Sequence, residues 1–226
     1  MDLKNRISET RGRIAMAATK SGRRPEQVTL LAVTKNFPVL TLQEAYDCGL
    51  RQFGENRVQE ALEKMGELPH DIQWHLIGRL QSNKINKILG KFVLVHSVDS
   101  LELAQALSQR LQGKQQEILL EVNTSGEASK AGVEVSDAPQ VAEKIASLPG
   151  LRLKGLMTIG PLTEDKVQQS DAFKRLKGLF DQIQAKPFGG ENFDVLSMGM
   201  SGDYEAAIEE GSTMVRIGTA LFGSRA

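Results

Sequence analysis

The chain has 226 residues, 40% hydrophobic and 25% charged, which suits one large domain, and its 28 basic and 28 acidic side chains give a formal net charge of zero. That balance argues against a nucleic-acid partner, and the first 25 residues lack an apolar stretch long enough for a signal peptide or a membrane span. Cys48 is the only cysteine and the three histidines are scattered, so we expect a cytoplasmic protein with no disulfide, no metal site and no membrane partner.

The predicted elements begin with a helix over residues 2–20. From residue 28 onward, eight β-rich runs alternate with segments whose apolar residues recur every three or four positions, a pattern typical of β-α units around a parallel sheet. The predicted strands are 28–35, 51–55, 72–78, 92–98, 117–123, 153–160, 193–199 and 213–218. Helices are indicated at 40–49, 56–66, 100–113 and 171–184. Capping residues precede three predicted helices: Asp99 or Ser100, Ser136 or Asp137, and Ser201.

Eight strands with intervening helices favour an α/β fold closed into a (β/α)8 TIM barrel, with an open doubly wound sheet as the alternative. The segment 219–226 after the last predicted strand is too short for a full eighth helix. We therefore expect the N-terminal helix to cover the gap beside the eighth strand. No Pro/Gly/Ser-rich linker interrupts the pattern, so we expect residues 1–226 to form one domain.

Lys35 ends the apolar run LLAVTK of the first predicted strand. Because the active face of such a barrel lies at the carboxyl ends of its strands, we expect the Lys35 amine at the barrel mouth. Burial against apolar walls disfavours an ammonium, which would leave a neutral nucleophile able to form a Schiff base with an aldehyde. The alternative is a lysine whose stem packs on the rim while its amine reaches water.

Two loops near the C-terminus predict a phosphate site. Met200, Ser201 and Gly202 follow the seventh predicted strand, and Gly218 and Thr219 follow the eighth. Barrel enzymes commonly bind phosphate between these two loops, where backbone amides at helix starts attract the anion. The alternative for Ser201 is an ordinary cap of the helix that follows it.

Arg216 lies between two apolar residues of the last predicted strand, so alternation directs it into the barrel. An inward arginine needs a partner, which could be a phosphate, the ring nitrogen of a pyridine cofactor, or a barrel carboxylate such as Glu55 or Glu121. Other polar residues expected around the mouth are Asn36, Asn56, His75, Arg79, Asn123 and Thr158.

Six segments of this chain together resemble one protein family. They are LLAVTKNFP, FGENRVQEALEK, WHLIGRLQSNK, EVNTSGEASKAG, GLMTIGP and SMGMSGDYEAAIEEGSTMVRIGTALFG. The chain resembles the pyridoxal phosphate homeostasis proteins from about residue 28 to residue 224. The resemblance implies fold-type III binding of pyridoxal 5'-phosphate (PLP) on the barrel of the alanine racemase N-terminal domain, without the second domain of that enzyme.

The resemblance also implies roles for individual residues. Lys35 is expected to hold PLP as an internal aldimine, and Arg216 to face the pyridine nitrogen. Asn56 and His75 are expected to line the same mouth. The phosphate contacts of the family correspond to residues of the last two loops, beside Met200: Ser201, Gly202, Gly218 and Thr219.

The function that this resemblance implies is PLP binding in vitamin B6 and amino/keto acid homeostasis, without strong catalytic activity. An arginine at the ring nitrogen agrees with that role, because it disfavours the protonated pyridinium and so makes the ring a weaker electron sink. We expect a monomer, with PLP-dependent apoenzymes as candidate protein partners.

Two enzymatic alternatives use similar parts. A PLP-dependent amino-acid racemase needs a second acid/base group, for which this chain offers only Tyr46 and Tyr204. A class I aldolase would need a lysine late in the barrel, and Lys154 lies near the wrong end of its predicted strand.

Basic residues outside the predicted site have simpler explanations. Lys84, Lys87 and Lys91 fall on one stripe of a predicted helix, which we interpret as a solvated face because no aromatic residues accompany them. Lys130 could be a second amine near the mouth, but we interpret it as a solvated loop residue.

Overall fold

A computed structural model describes residues 2–127, 130–161 and 163–223. The strands in these ranges are β1 Thr29–Val33, β2 Gln52–Glu55, β3 Gln73–Leu76, β4 Leu94–Val98, β5 Gln116–Asn123, β6 Val133–Glu134, β7 Leu151–Met157, β8 Val195–Met200 and β9 Met214–Ile217. The α-helices are α1 Leu3–Lys20, α2 Val39–Asp47, α3 Val58–Met65, α4 Ile85–Ile88, α5 Leu101–Leu111, α6 Ala138–Ala146, α7 Lys166–Gln184, α8 Tyr204–Glu209 and α9 Thr219–Phe222. Short 3-10 turns cover Pro25–Gln27 and Ser82–Lys84.

Eight of these strands form a closed parallel barrel. They follow the order β4-β3-β2-β1-β9-β8-β7-β5, and a further parallel pairing of β4 with β5 closes the ring. The predicted (β/α)8 barrel is therefore confirmed, and the open sheet is wrong. The two-residue strand β6 was not expected from the sequence; it pairs only with the end of β5, beyond the closed ring.

The apolar core has the two parts that a barrel requires. A small cluster fills the inside, built on Leu31, Leu94, Leu119, Met157 and Met214. A much larger cluster lies between the strands and the helices around them. The inside of the barrel is thus packed over much of its depth, which leaves room for a ligand only near one end.

Helix α1 lies in the outer ring, against the helices that precede and follow β9 in the chain. It packs against α8 and α9 and touches α2, and its buried residues include Ile7, Ile14 and Ala18. This is the position predicted for the N-terminal helix. None of the helices within the described ranges has the length and apolar character needed to cross a membrane.

Side-chain capping explains where two helices begin. Ser100 caps α5 as predicted, since its hydroxyl accepts a hydrogen bond from the Leu103 amide at 3.3 Å. Asp165 accepts from the Val167 amide at 2.8 Å, so α7 begins at Lys166, earlier than the predicted residue 171. Asp137 precedes α6 without a capping hydrogen bond from its side chain.

Candidate functional site

A cavity of about 270 Å³ opens at the carboxyl ends of the barrel strands. Eight of the nine residues predicted to bind a cofactor line it; His75 does not. The complete lining is Val33, Lys35, Asn56, Ile77, Met157, Ile159, Met200, Ser201, Gly202, Arg216, Gly218 and Thr219. The structure therefore brings together a lysine, an arginine, a hydroxyl-bearing loop pair and several apolar walls.

Lys35 lies in a tight turn rather than in β1, which ends two residues earlier at Val33. The Phe37 amide donates to the Thr34 carbonyl at 3.2 Å and closes the turn. Asn36, the third residue of the turn, has a φ of 65°, in the left-handed region that type II turns require at that position. Lys35 is half-buried and lines the cavity, as predicted for the barrel mouth.

Ser201 joins the two loops predicted to bind phosphate. Its hydroxyl accepts hydrogen bonds from the amides of Gly218 and Ala220, each at 3.2 Å. Ser201 is therefore not the cap of α8, which begins after Asp203. The reason is that a turn of two residues separates Ser201 from that helix, so its side chain reaches across to the loop after β9.

Gly202 leaves open space at the same loops. A Cβ atom built on Gly202 would find no other atom within 4 Å, although Gly202 lines the cavity. Thr219, at the start of α9, is exposed on the other loop. An anion here would lie against backbone amides of two loops, an arrangement that proteins commonly use for phosphate.

Arg216 is buried and points into the barrel, as alternation along β9 predicted. Its guanidinium donates to the Ser197 carbonyl at 2.9 Å, to the Ser197 hydroxyl at 2.8 Å and to the Thr158 carbonyl at 2.8 Å. Burial lowers the pKa of Arg216 to about 10, and the charges of Asp203 and Glu121 oppose that shift. Arg216 is thus charged at neutral pH and rigidly held at the cavity wall.

The two carboxylates considered as partners of Arg216 have different roles. Glu55 forms its ion pair with Lys64 Nζ, at 2.7 Å, so Glu55 is not the partner of Arg216. Glu121 acts on Arg216 through its charge. Burial, with a smaller effect from Asp99, raises the pKa of Glu121 to about 7.

His75 lies one layer below the cavity. Side chains alternate along a strand, so His75 and Ile77 point to the same side, and Ile77 is the one that lines the cavity. His75 Nδ1 lies 3.0 Å from His96 Nε2, and His75 Nε2 lies 2.6 Å from the side-chain oxygen Oε1 of Gln52. The sequence placed His75 inside the barrel but could not fix its depth.

A continuous hydrogen-bonded chain runs from Gln52 through His75, His96 and Ser197 to Arg216. His96 Nδ1 lies 3.1 Å from the Ser197 hydroxyl, which also accepts from Arg216. Because the Gln52 oxygen can only accept, His75 Nε2 must donate to it, and the protons of His96 Nε2 and Ser197 then point toward His75 and His96. Every link in the chain is satisfied with both rings neutral.

Burial keeps these two histidines neutral. It lowers the pKa of His75 to about 3. Burial is also the largest cause of the lowered pKa of His96, followed by the electrostatic effects of a second imidazole, His75, and of the Arg216 guanidinium. His96 and Ser197 were not predicted as site residues, although alternation in FVLVHSV and FDVLSMG could have indicated that both face inward.

Gly78 fixes the backbone of Asn56. A Cβ on Gly78 would lie 2.2 Å from the Asn56 carbonyl oxygen, so only glycine permits this approach. The Gly78 carbonyl in turn accepts from the Ser97 hydroxyl at 2.7 Å. This packing holds Asn56 where it lines the cavity.

Neither tyrosine considered for acid/base chemistry lines the cavity. The Tyr46 hydroxyl donates to Asp71 at 2.8 Å on the exposed side of the molecule. Tyr204 is buried with the Arg13 guanidinium 5.5 Å above its ring, and its hydroxyl has no hydrogen-bond partner among the described residues.

The remaining lysines differ in part from expectation. Lys154 pairs with Asp194 at 2.9 Å, away from the cavity. Lys130 is only 18% exposed, with Nζ 2.8 Å from Glu127 and 3.3 Å from the Gly160 carbonyl, so its description as a solvated residue is wrong. Helix α4 spans only Ile85–Ile88, so the stripe predicted for Lys84, Lys87 and Lys91 does not lie on one helix.

The described residues contain no group of three or more His, Cys, Asp or Glu side chains arranged to hold a metal ion. The cavity itself offers an amine from Lys35, a guanidinium from Arg216, a hydroxyl from Ser201 and backbone groups.

Residues 13–226 match the family model of the alanine racemase N-terminal domain. The chain is 49% identical over 222 residues to the pyridoxal phosphate homeostasis protein of Pseudomonas aeruginosa, covering 97% of this chain and 94% of that protein. The structure of PipY from Synechococcus elongatus PCC7942, with PLP bound, is 34% identical, with a TM-score of 0.82 over 98% of this chain and 100% of that one.

A more distant structure shows the fold alone. The alanine racemase of Corynebacterium glutamicum is 16% identical, with a TM-score of 0.69 over 95% of this chain and 60% of that chain. The long, full-length similarity to the homeostasis proteins is more specific. The chain belongs to the alanine racemase N-terminal domain family and, within it, to the pyridoxal phosphate homeostasis proteins.

Proposed function

We propose that this chain binds PLP covalently through Lys35 and acts in PLP homeostasis rather than as an enzyme. The observation that carries the proposal is the shared cavity: Lys35, Arg216 and the loops joined by Ser201 line one space of about 270 Å³. Relatives named for pyridoxal phosphate homeostasis, and a PLP-bound structure of one relative, support the choice of cofactor.

The donor set of the cavity fits PLP. A phosphate needs amides and a hydroxyl, which the loops after β8 and β9 offer at Gly202, at Thr219 and in the Ser201 side chain. A planar ring needs apolar walls, which Val33, Ile77 and Met157 provide. The cavity volume of about 270 Å³ lies just below the range of roughly 300–1,000 Å³ for ligand sites, which suits a compact cofactor.

Each side chain would then have a distinct task. The Lys35 amine would hold the cofactor covalently, because a primary amine condenses with an aldehyde to a carbon–nitrogen double bond with loss of one water molecule. Arg216, held by Ser197 and Thr158, would face the pyridine nitrogen and disfavour its protonation. Ser201, Gly202, Gly218 and Thr219 would hold the phosphate, while Asn56 and Met200 would complete the wall.

One feature supports a carrier over a racemase. When bound, PLP supplies an electron sink for carbanion chemistry; an arginine at its ring nitrogen weakens that sink, but it is expected throughout this fold type and so does not separate the two functions. A racemase also needs a second acid/base group on the opposite face of the substrate, yet Tyr46 and Tyr204 lie outside the cavity.

The broader setting follows from the same proposal. We place the protein in the cytoplasm, as a one-domain monomer that takes part in amino/keto acid homeostasis. Its partners would be PLP-dependent apoenzymes, because an aldehyde held by a single reversible bond can be handed to another amine.

Titration with PLP tests the proposal. We expect one equivalent to bind, seen as a new visible absorption band and as retention in equilibrium dialysis, and we expect Lys35→Ala to lose the band while Lys130→Ala keeps it. Retention of the full band by Lys35→Ala would contradict the proposal. Deuterium exchange at the α-carbon of amino acids, well above the rate with free PLP, would instead support the racemase.

A further inference from the structure

The two peptide groups on either side of Lys35 are held by the same helix. The Thr34 carbonyl accepts a hydrogen bond from Lys64 Nζ at 2.8 Å. The Asn36 amide donates to the Glu60 carboxylate at 2.6 Å. Lys64 and Glu60 lie one turn apart on α3 and form an ion pair at 2.7 Å. Helix α3 is therefore hydrogen-bonded to the backbone both before and after Lys35.

Glu55 completes this cluster from β2. It accepts from Lys64 Nζ at 2.7 Å and from the Thr34 hydroxyl at 2.7 Å. The side chain of Glu55 is fully buried and that of Lys64 is 7% exposed. We refer to Glu55, Glu60 and Lys64 as the α3 clamp.

Burial of the charges of the α3 clamp costs free energy, so the clamp contributes little net stability to the fold. Buried ion pairs rarely stabilise a protein more than apolar residues of similar size would, because both charges lose their hydration. One oxygen of Glu55 is buried without a hydrogen-bond partner among the described residues, and burial raises the pKa of this carboxyl group. Stabilisation of the fold therefore does not explain why these charges are buried, which indicates another role for the α3 clamp.

Asn36 indicates what that role is. Its φ of 65° lies in the left-handed region, which asparagine adopts more often than most residues other than glycine but which still costs free energy unless the surroundings support it. Glu60 holds the Asn36 amide and Lys64 holds the carbonyl at the start of the turn. The clamp thus enforces the turn that carries Lys35.

We propose that Lys64 and Glu60 are positioning residues for Lys35: by fixing the carbonyl of Thr34 and the amide of Asn36, they direct the Lys35 amine into the cavity. This inference rests on the proposed covalent binding of PLP. Loss of the clamp leaves the phosphate loops and the apolar walls intact, so it slows bond formation at Lys35 without removing the rest of the binding site.

The first test uses the double variant Lys64→Met with Glu55→Gln, which removes both charges of the buried Glu55–Lys64 pair and leaves Glu60, 21% exposed, bonded to the Asn36 amide. We expect the rate of covalent attachment at saturating PLP, followed by absorbance, to fall about 10- to 100-fold, as for other small misplacements of a reacting group. Affinity for pyridoxine 5'-phosphate, which has no aldehyde, should stay unchanged. Lys154→Met, which removes the Asp194 ion pair away from the cavity, is the matched control.

A second variant keeps the test valid if the double variant does not fold. Glu60→Ala removes the anchor of the Asn36 amide from a half-buried position, and Glu63→Ala on the exposed face of the same helix is its control. Glu60→Ala should speed hydrogen exchange of the Asn36 amide in the protein without PLP and slow attachment, whereas Glu63→Ala should do neither.

The outcomes separate the two proposals. Wild-type attachment rates and Asn36 exchange in the folded variants would overturn the positioning role while leaving covalent binding intact. An equal loss of attachment rate and of pyridoxine 5'-phosphate affinity would also overturn it, because it would indicate general damage to the site. Failure of the unaltered protein to attach PLP at Lys35 would instead refute the proposed function.

Discussion

The imidazole rings of His75 and His96 are joined by a hydrogen bond of 3.0 Å in the interior of the barrel. Through Ser197, this pair supports Arg216 at the cavity wall. The arrangement depends on two neutral rings, since a charged ring would replace an acceptor with a second donor and break a link. We therefore expect acid to destabilise the folded protein as soon as the pH falls below the ordinary pKa of histidine.

The first prediction concerns acid stability. Burial lowers the pKa of His75 to about 3, while an unfolded histidine titrates near about 6.5. Below the pKa of the unfolded histidine, the unfolded chain binds a proton at His75 and the folded chain does not. The contribution of His75 to the unfolding free energy is therefore complete above about pH 6.5 and is lost as the pH falls toward about 3. His75→Gln should reduce the slope of unfolding free energy against pH by up to about 1.4 kcal/mol per pH unit.

Urea unfolding at several pH values between about 5 and 7 measures that slope. His70→Gln is the control, because His70 is exposed. Equal slopes for the unaltered protein and both variants would show that His75 is not held neutral by burial.

Tyr204 provides the second prediction. Its hydroxyl is buried without a hydrogen-bond partner among the described residues, so Tyr204→Phe removes a desolvation cost and no bond. We expect the unfolding free energy to stay the same or to rise by about 1 kcal/mol. Tyr46→Phe, which loses an exposed bond to Asp71, should change stability little. A loss above about 1 kcal/mol in Tyr204→Phe would reveal a partner for this hydroxyl.

The third prediction concerns the close approach of Gly78 to Asn56. Gly78→Ala would place a methyl group 2.6 Å from the Asn56 Cα atom, so the backbone must shift. We expect a loss of about 1–3 kcal/mol in unfolding free energy, together with weaker PLP binding. Gly12→Ala in helix α1 meets no atom within 4 Å and should be neutral or stabilising. Wild-type stability in Gly78→Ala would contradict this packing.

Ser201 gives a prediction for the phosphate end of the cavity. Ser201→Ala removes the hydroxyl that accepts from the Gly218 and Ala220 amides, so the two loops lose their link. Affinity for PLP should fall about tenfold, or about 1.4 kcal/mol, while affinity for pyridoxal, which has no phosphate, should stay the same. Ser147→Ala, outside the cavity, is the control. Parallel losses for PLP and pyridoxal would show that Ser201 does not serve the phosphate.

Much of the site could be predicted because it depends on local patterns. Alternation along β9 correctly directed Arg216 inward, and the position of Lys35 after an apolar run correctly placed it at the barrel mouth. These inferences need only the direction of a strand and the fact that the carboxyl ends of parallel strands meet at one face.

What the sequence did not reveal depends on contacts between distant segments. The register between strands sets the depth of His75, and alternation alone contains no register. A cap of the next helix was one of the two roles considered for Ser201, but its hydroxyl bonds to residues 17 and 19 positions away. The clamp of Lys64 on Thr34 joins residues 30 positions apart, so no local pattern around LLAVTK could indicate it.

Reduction with borohydride followed by peptide mapping tests the central claim most directly. The reagent converts the bond between an amine and PLP into a stable one, so mass spectrometry can identify the residue that carries the cofactor. The account predicts one modification, on the peptide that contains Lys35, and none in Lys35→Ala. Modification of another lysine such as Lys130, or no modification of a protein that still binds PLP, would contradict it.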